Sequence, residues 1–179
     1  MNFLEKKILS KEVYKTSFLE IVEDQVMLPN DKQASRVVVK HIGAAAVVPI
    51  TKDHKMILTR QYRYPISQVS LEIPAGKKDA FGELGIDCVK RELEEETGYR
   101  SKRIEHLYDF YTCVGYSDEK IELFVAYDCE LQANPLQPDE DEFIEVALFS
   151  IDEVKALLAD GTIKDGKTIL AIQSYLLKG

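Results

Sequence analysis

The chain predicts an α+β fold, and three observations carry that reading. Strand-like runs clearly outnumber helical ones across the 179 residues. Only three segments combine helical periodicity with start or stop signals. The two kinds of segment do not alternate strictly, as a doubly wound parallel sheet would require.

In chain order, residues 18–22 and 26–28 are short strand-like runs, and Pro29-Asn30-Asp31 is a turn before a third run at 36–40. Residues 43–50 are small and β-branched. Thr51-Lys52-Asp53-His54 then turns the chain into 55–61, a hairpin. A short strand at 69–73 ends at Pro74-Ala75-Gly76. Residues 83–97 are helical in pattern, with Gly98 as the stop. Strands follow at 103–111 and 120–128, separated by a loop carrying Gly115, Ser117 and Asp118, and a last strand at 143–149. Ser150-Ile151-Asp152-Glu153 is a capping box that opens a second helix, stopped at Gly161. The third helix spans 168–178, with Ile169, Ile172 and Leu176 on one stripe. Residues 1–40 read as an N-terminal strand region and 41–179 as the main domain.

Composition narrows the function. Apolar residues make up 45% and charged residues 30%, the globular range. No apolar run reaches the roughly 20 residues of a membrane helix, and the first residues have no stretch suited to a signal peptide. With 23 basic and 31 acidic residues the formal charge is −8, which argues against a broad nucleic-acid footprint. An anionic ligand would need a few local cations or a metal. Cys88, Cys113 and Cys129 are far apart and odd in number, so a reduced, cytoplasmic setting is the simplest reading. His41, His54 and His106 are equally scattered, against a zinc site.

The chemistry concentrates in Glu83–Gly98, ELGIDCVKRELEEETG. At about 100° per residue, Ile86, Val89 and Leu93 share a buried stripe. Asp87, Lys90 and Glu94 fall on the far side and should be solvated. Glu92, Glu95 and Glu96 share one face beside the stripe, at i, i+3, i+4. Like charges at that spacing cost about 0.2–0.5 kcal/mol per pair, and acids in the last turns oppose the helix dipole. A hard divalent cation would reverse both terms, with Mg²⁺ the natural choice and Mn²⁺ an alternative. A solvated acidic face is the commoner fate of such a run, and composition alone does not decide.

The pattern Arg91-Glu92-Leu93-Glu94-Glu95-Glu96-Thr97-Gly98-Tyr99, with Glu83 eight positions before Arg91, resembles the Nudix box, G-x5-E-x7-R-E-U-x-E-E-x-G-U, where U is apolar. One position departs: Lys77 stands where the first glycine is expected, and Gly76 lies one residue earlier, as a one-residue insertion in the following loop would give. The resemblance implies an α/β/α sandwich of mixed sheets. It implies that Glu92, Glu95 and Glu96 hold divalent metal with the Ala75 carbonyl, and that Arg91 and Glu83 orient them. The implied reaction is attack of water on a diphosphate linked to another group.

Beyond the box, Arg60-Gln61-Tyr62-Arg63-Tyr64-Pro65, Leu71-Glu72-Ile73-Pro74-Ala75-Gly76, Gly115-Tyr116-Ser117-Asp118-Glu119, residues 139–146 and Asp165-Gly166-Lys167-Thr168 are similar to the branch that cleaves ADP-ribose and nucleoside diphosphate sugars. That resemblance implies a homodimer in which the N-terminal strands exchange. It makes Arg63, with Arg60 and Glu72, the candidate substrate contacts, since a guanidinium grips phosphate oxygens bidentately. It also implies a general base in 139–142: Glu140 for the base and Glu142 for a metal or water contact, or the reverse. The branch has a proline about sixteen residues past the box, where this chain has Val114, so GDP-mannose stays open beside ADP-ribose. A non-catalytic nucleotide-sugar sensor is the rival, disfavoured by the full set of Glu92, Glu95 and Glu96.

Two pattern matches lack their context. Gly161-Thr162-Ile163-Lys164-Asp165-Gly166-Lys167-Thr168 fits the P-loop formula but follows a helix, not a strand, so it reads as a turn. On that reading, substituting Lys167 leaves hydrolysis largely intact. Asp139 does not open an EF-hand, lacking the required acceptors and glycine.

Overall fold

A computed structural model describes residues 2–80, 82–137 and 142–178. Its backbone separates into two compact units, 1–43 with 111–120, and 44–110 with 121–179.

The first unit is an antiparallel meander of β1 (Lys6–Lys15), β2 (Leu19–Met27) and β3 (Gln33–His41). Strand β1 corrects the sequence reading, which places no strand before residue 18. All ten of its residues are exposed, so no buried face imprints alternation on KKILSKEVYK. The runs at 18–22 and 26–28 are likewise one strand. Val22, Asp24 and Val26 alternate inward, and the polar stretch between the runs reads as a break only because Asp24 is a buried acid. The segment 111–120 completes this unit. The Val39 N–H donates to Tyr116 O at 2.7 Å, and the Asp118 N–H donates to Val39 O at 3.2 Å.

In the second unit β4 (Ala44–Thr51), β5 (Lys55–Arg63), β10 (Lys120–Leu131) and β11 (Ile144–Ser150) form the central sheet, closed at one edge by β8 (Tyr99–Arg100). Shorter β6 (Gln68–Glu72) pairs with β5, β7 (Ala75–Lys77) with β4, and β9 (Arg103–Tyr111) with β10. The β4–β10 pair is parallel and its neighbours are antiparallel, so the sheet is mixed.

Every residue of β4 is buried, which explains its continuous apolar run: both of its faces are covered. On one face Ala45 and Val47 pack with Ile57, Phe124 and with Val89 and Leu93 of α1 (Gly85–Thr97). On the other, Ala46 and Val48 pack with Leu58 and Val125, with Val154 of α2 (Ile151–Ala159), and with Ala171 and Ile172 of α3 (Gly166–Lys178). The result is an α+β unit with helices on both faces, an α/β/α sandwich.

Helix ends follow local chemistry. The capping box of α2 forms, the Glu153 N–H donating to Ser150 Oγ and the Ser150 N–H to Glu153 Oε2. Helix α3 starts two residues earlier than expected because Asp165 Oδ2 accepts from both the N–H (2.9 Å) and the hydroxyl (2.6 Å) of Thr168. The segment before it is the turn expected between two helices. Helix α1 starts two residues later than expected, with Leu84 at its N-cap and no side-chain cap. Among the described residues no helix is long and apolar enough to cross a membrane.

Candidate active site

Helix α1 carries the acidic face, ending at Gly98, whose φ of 76° is the left-handed conformation that glycine adopts without strain. Glu92 and Glu96 are buried and Glu95 is half-buried. Three carboxylates in the last two turns are an unfavourable set, and Arg91 offsets part of it. Its Nη1 donates to Glu92 Oε1 at 2.7 Å and to Glu95 Oε2 at 3.0 Å, and its Nη2 donates to Lys77 O at 3.2 Å. Burial works against the Arg91 charge, but Glu92 and Glu95 raise its pKa well above the ordinary arginine value.

Among the described residues Glu96 has no such cation in hydrogen-bond reach. Burial first, then Glu92 and Glu142, push its carboxyl up to about 8, against the opposing pull of the Ala75 N–H and of Lys167. Its Oε2 is buried without a hydrogen-bond partner among the described residues. Burial also pushes Glu92 up to about 7, opposed by Arg91, with Glu95 and Glu142 adding to the rise. A buried acceptor without a donor, beside two further carboxylates, is a place where a cation lowers the energy. Oxygen donors of this kind suit a hard divalent ion. Among the described residues no three acidic, histidine or cysteine side chains are already gathered as a closed metal cage, since Glu92 and Glu95 are turned onto Arg91.

Gly76 has a steric role here. A Cβ built on it would lie 2.0 Å from both Cδ and Oε1 of Glu92, so the Glu92 carboxylate occupies space that only glycine leaves. The glycine one residue ahead of the expected position thus packs against the acidic helix, and the extra residue falls in the loop after it. Gly76→Ala is expected to displace a flexible carboxylate, not backbone. It should weaken divalent-cation binding by roughly 10–100-fold while costing little thermal stability; unchanged cation affinity on titration would contradict this.

That loop also supplies partners to Glu83 and Arg91. Glu83 Oε2 accepts the Asp79 N–H at 2.6 Å, while Glu83 Oε1 is 3.9 Å from Arg91. Asp79 Oδ2 comes closer, 3.1 Å from Arg91 Nε, without hydrogen-bond alignment. Asp79 is a partner of Arg91 that the sequence reading misses, because the box pattern treats its position as variable.

A second charged group lies on β5, β6 and α3. Arg63 grips Glu72 with both Nε (2.9 Å) and Nη2 (2.8 Å). Lys167 donates to the same Glu72 carboxylate and to Asp165 Oδ2 at 3.0 Å. Burial alone would raise Glu72, but Arg63 and Lys167 bring it down to about 2. Glu96 in turn adds to the field that holds Arg63 charged, and Lys167 to the field that Glu96 feels, so the two groups are electrostatic neighbours. Lys167 therefore belongs to the charged cluster, which the turn reading of its segment does not reveal. Arg60 is not brought there: it pairs with Glu145 at 2.6 Å and lies 5.8 Å over the Phe149 ring. Glu142 is close enough to raise Glu92 and Glu96, whereas Glu140 lies outside the described residues.

Glu94 corrects the helical-wheel reading. It is 4% exposed, not solvated, covered by Arg100, whose Nη2 donates to it at 2.6 Å, and by the Leu136 N–H at 3.0 Å. The wheel places Glu94 on the outer side correctly; chain from beyond the helix then covers it. Cys88 donates weakly to the carbonyls of Gly76 and Lys77, and burial pushes its thiol up to about 12, so it remains a neutral packing group.

Residues 40–171 match the family profile described as NUDIX domain. The chain belongs to the Nudix family. An ADP-ribose pyrophosphatase of Bacillus subtilis (strain 168) is 37% identical over 99% of this chain and 96% of its own length. A methanol dehydrogenase activator of Bacillus methanolicus is 38% identical over 98% of this chain and 95% of its own. A GDP-mannose pyrophosphatase of Pectobacterium atrosepticum is 37% identical, covering 76% of this chain and 74% of the relative. A crystal structure of an ADP compounds hydrolase superposes with a TM-score of 0.84 at 20% identity, over 97% of this chain and 93% of that one. This Nudix chain thus shares the family's fold from end to end of the sandwich.

Proposed function

We infer that this Nudix protein is a metal-dependent pyrophosphohydrolase that cleaves the diphosphate of ADP-ribose or a nucleoside diphosphate sugar. The observation that carries this is Glu96, buried, unpartnered at Oε2 and raised to about 8 beside Glu92 and Glu142. A module that bound nucleotide without a cation would gain nothing from such a destabilised group.

Glu92, Glu95 and Glu96, with the Ala75 carbonyl, hold the cation, Mg²⁺ in preference to Mn²⁺. Bound there, a divalent ion supplies charge neutralisation of phosphoryl oxygens and acidification of water. The chain's own groups do the rest. Arg91 keeps Glu92 and Glu95 from repelling each other and fixes their direction, with Glu83 and Asp79 behind it. Arg63 offers the diphosphate the terminal nitrogen that Glu72 does not engage, and Glu72 with Lys167 fixes that guanidinium. Glu140 or Glu142 takes the proton of the attacking water. A new P–O bond forms from water, the P–O–P bridge breaks, and a nucleoside monophosphate and a sugar phosphate leave.

GDP-mannose is the second reading, favoured by Val114 in place of the branch proline and by the GDP-mannose pyrophosphatase among the relatives. The protein works in the cytoplasm as a homodimer. Strand β1 supports the dimer, since its exposed Ile8, Leu9, Val13 and Tyr14 lie on an edge strand that a second copy would cover.

The deciding experiment is product analysis with Mg²⁺ across ADP-ribose, GDP-mannose, other nucleotide sugars, diadenosine polyphosphates and nucleoside triphosphates, on protein sized by light scattering. Monophosphate plus sugar phosphate from one class, by a species of twice the chain mass, is expected. Tight binding without cleavage would establish the sensor instead, and a fully active monomer would remove the strand exchange.

A further inference from the structure

The N-terminus of α1, the helix that carries all three candidate metal carboxylates, lacks a side-chain cap. Glu122 packs against that end. It lies on β10 opposite Ala45, which itself pairs with Gly76 on the other side of β4. A Cβ on Gly85, the first residue of α1, would fall 2.3 Å from Glu122 Oε2 and 3.1 Å from its Cβ. The carboxylate therefore sits hard against the positive end of the helix dipole, and glycine at 85 is what lets it approach. Lys78 Nζ donates to Glu122 Oε1 at 2.5 Å. The side chains are only 15% and 21% exposed, which sets this pair apart from the surface ion pairs of the chain.

Lys78 lies in the loop that is one residue longer than the family pattern, and the next residue, Asp79, faces Arg91. The longer loop is thus fixed at two consecutive positions, one to the sheet under the start of α1 and one to the arginine that directs Glu92 and Glu95. We propose that Lys78 and Glu122 are positioning residues that set where α1 begins, and through it the direction in which Glu92, Glu95 and Glu96 face the cation. This rests on the metal-dependent reading above. The effect of the pair passes through Gly85 at one end and through Asp79 and Arg91 at the other.

Glu122→Gln, Lys78→Met and Gly85→Ala form the test, each read by Mg²⁺ titration of activity, by substrate KM and kcat, and by the Mg²⁺-induced rise in Tm. Each variant is expected to raise half-saturating Mg²⁺ by about tenfold and to shrink the Mg²⁺-induced rise in Tm. Substrate KM should stay within about twofold. Gly85→Ala is the informative case, since alanine favours the helix and should not unfold it, yet its methyl displaces Glu122. The exchange Lys78→Glu with Glu122→Lys should not restore the wild-type response, because it puts a cation against the helix N-terminus. Lower Tm with an unchanged Mg²⁺ response in all three single variants would reduce the pair to a structural role and overturn the proposal. A wild-type protein that hydrolyses none of the substrates but keeps a Mg²⁺-dependent Tm would sink the enzymatic reading alone.

Discussion

Glu96→Gln should lower Mg²⁺-dependent turnover by roughly 10²–10³-fold, the size of effect seen when one preorganised electrostatic group is removed from an active site. The fold should persist, because the substitution keeps the side chain's shape. The sign of the stability change separates this from ordinary damage. In the unfolded chain Glu96 ionises near its ordinary 4.5, and in the folded, metal-free protein near about 8. The folded state therefore holds its proton more tightly, and stability drains away as pH rises from about 4.5 through about 8. Metal-free Glu96→Gln should then melt at or above the wild-type temperature at pH 8, with the difference closing near pH 5. Mg²⁺ should raise the wild-type Tm at pH 8 by linkage and raise that of the variant much less. Unchanged turnover, or an equal Mg²⁺ effect in both proteins, would remove Glu96 from the metal site.

What made this site legible was spacing. Glu92, Glu95 and Glu96 at i, i+3, i+4 beside the stripe of Val89 and Leu93 fix one helical face, and α1 presents that face as periodicity requires. The strands of the sandwich were legible for a related reason. A strand such as β4, buried on both sides, is a continuous apolar run, and β9 begins and ends where its pattern does. The failures share a cause as well. Strand β1 has no buried face, and Asp24 interrupts β2 with a buried acid, so neither leaves a periodic trace. Glu94, Asp79 and Lys167 gain their partners from chain distant in sequence or from a loop of unusual length, and no local pattern encodes a partner. Lys167 had one signal, its place in the stretch Asp165-Gly166-Lys167-Thr168 that resembles the same branch.

Glu72→Gln should have the largest effect on stability. Glu72 has a side chain only 5% exposed that takes two nitrogens of Arg63 and the ammonium of Lys167. Glutamine preserves the shape but leaves two cations facing each other, offset in part by Asp165 and Glu96. Removing one partner of a buried ion pair costs about 3–5 kcal/mol; with Arg63 40% exposed and partly screened by water, about 2–3 kcal/mol is the better expectation. For a chain of this length that lowers Tm by roughly 4–12 °C. The folded pKa of about 2 lies below the unfolded 4.5, so this stabilisation is complete above about 4.5 and is lost as pH falls through about 2. The gap in Tm between wild type and variant should accordingly be flat from pH 6 to 8 and narrow on acidification below 4.5. Activity should fall too, because Arg63 then has no fixed direction. Lys167→Met, which takes one of the three nitrogens from Glu72, should reproduce part of both losses, contrary to the expectation for an idle turn residue. If Lys167→Met kept full activity and wild-type Tm while Glu72→Gln lost both, Arg63 alone would hold Glu72, and the lysine's reach to that carboxylate would carry no function.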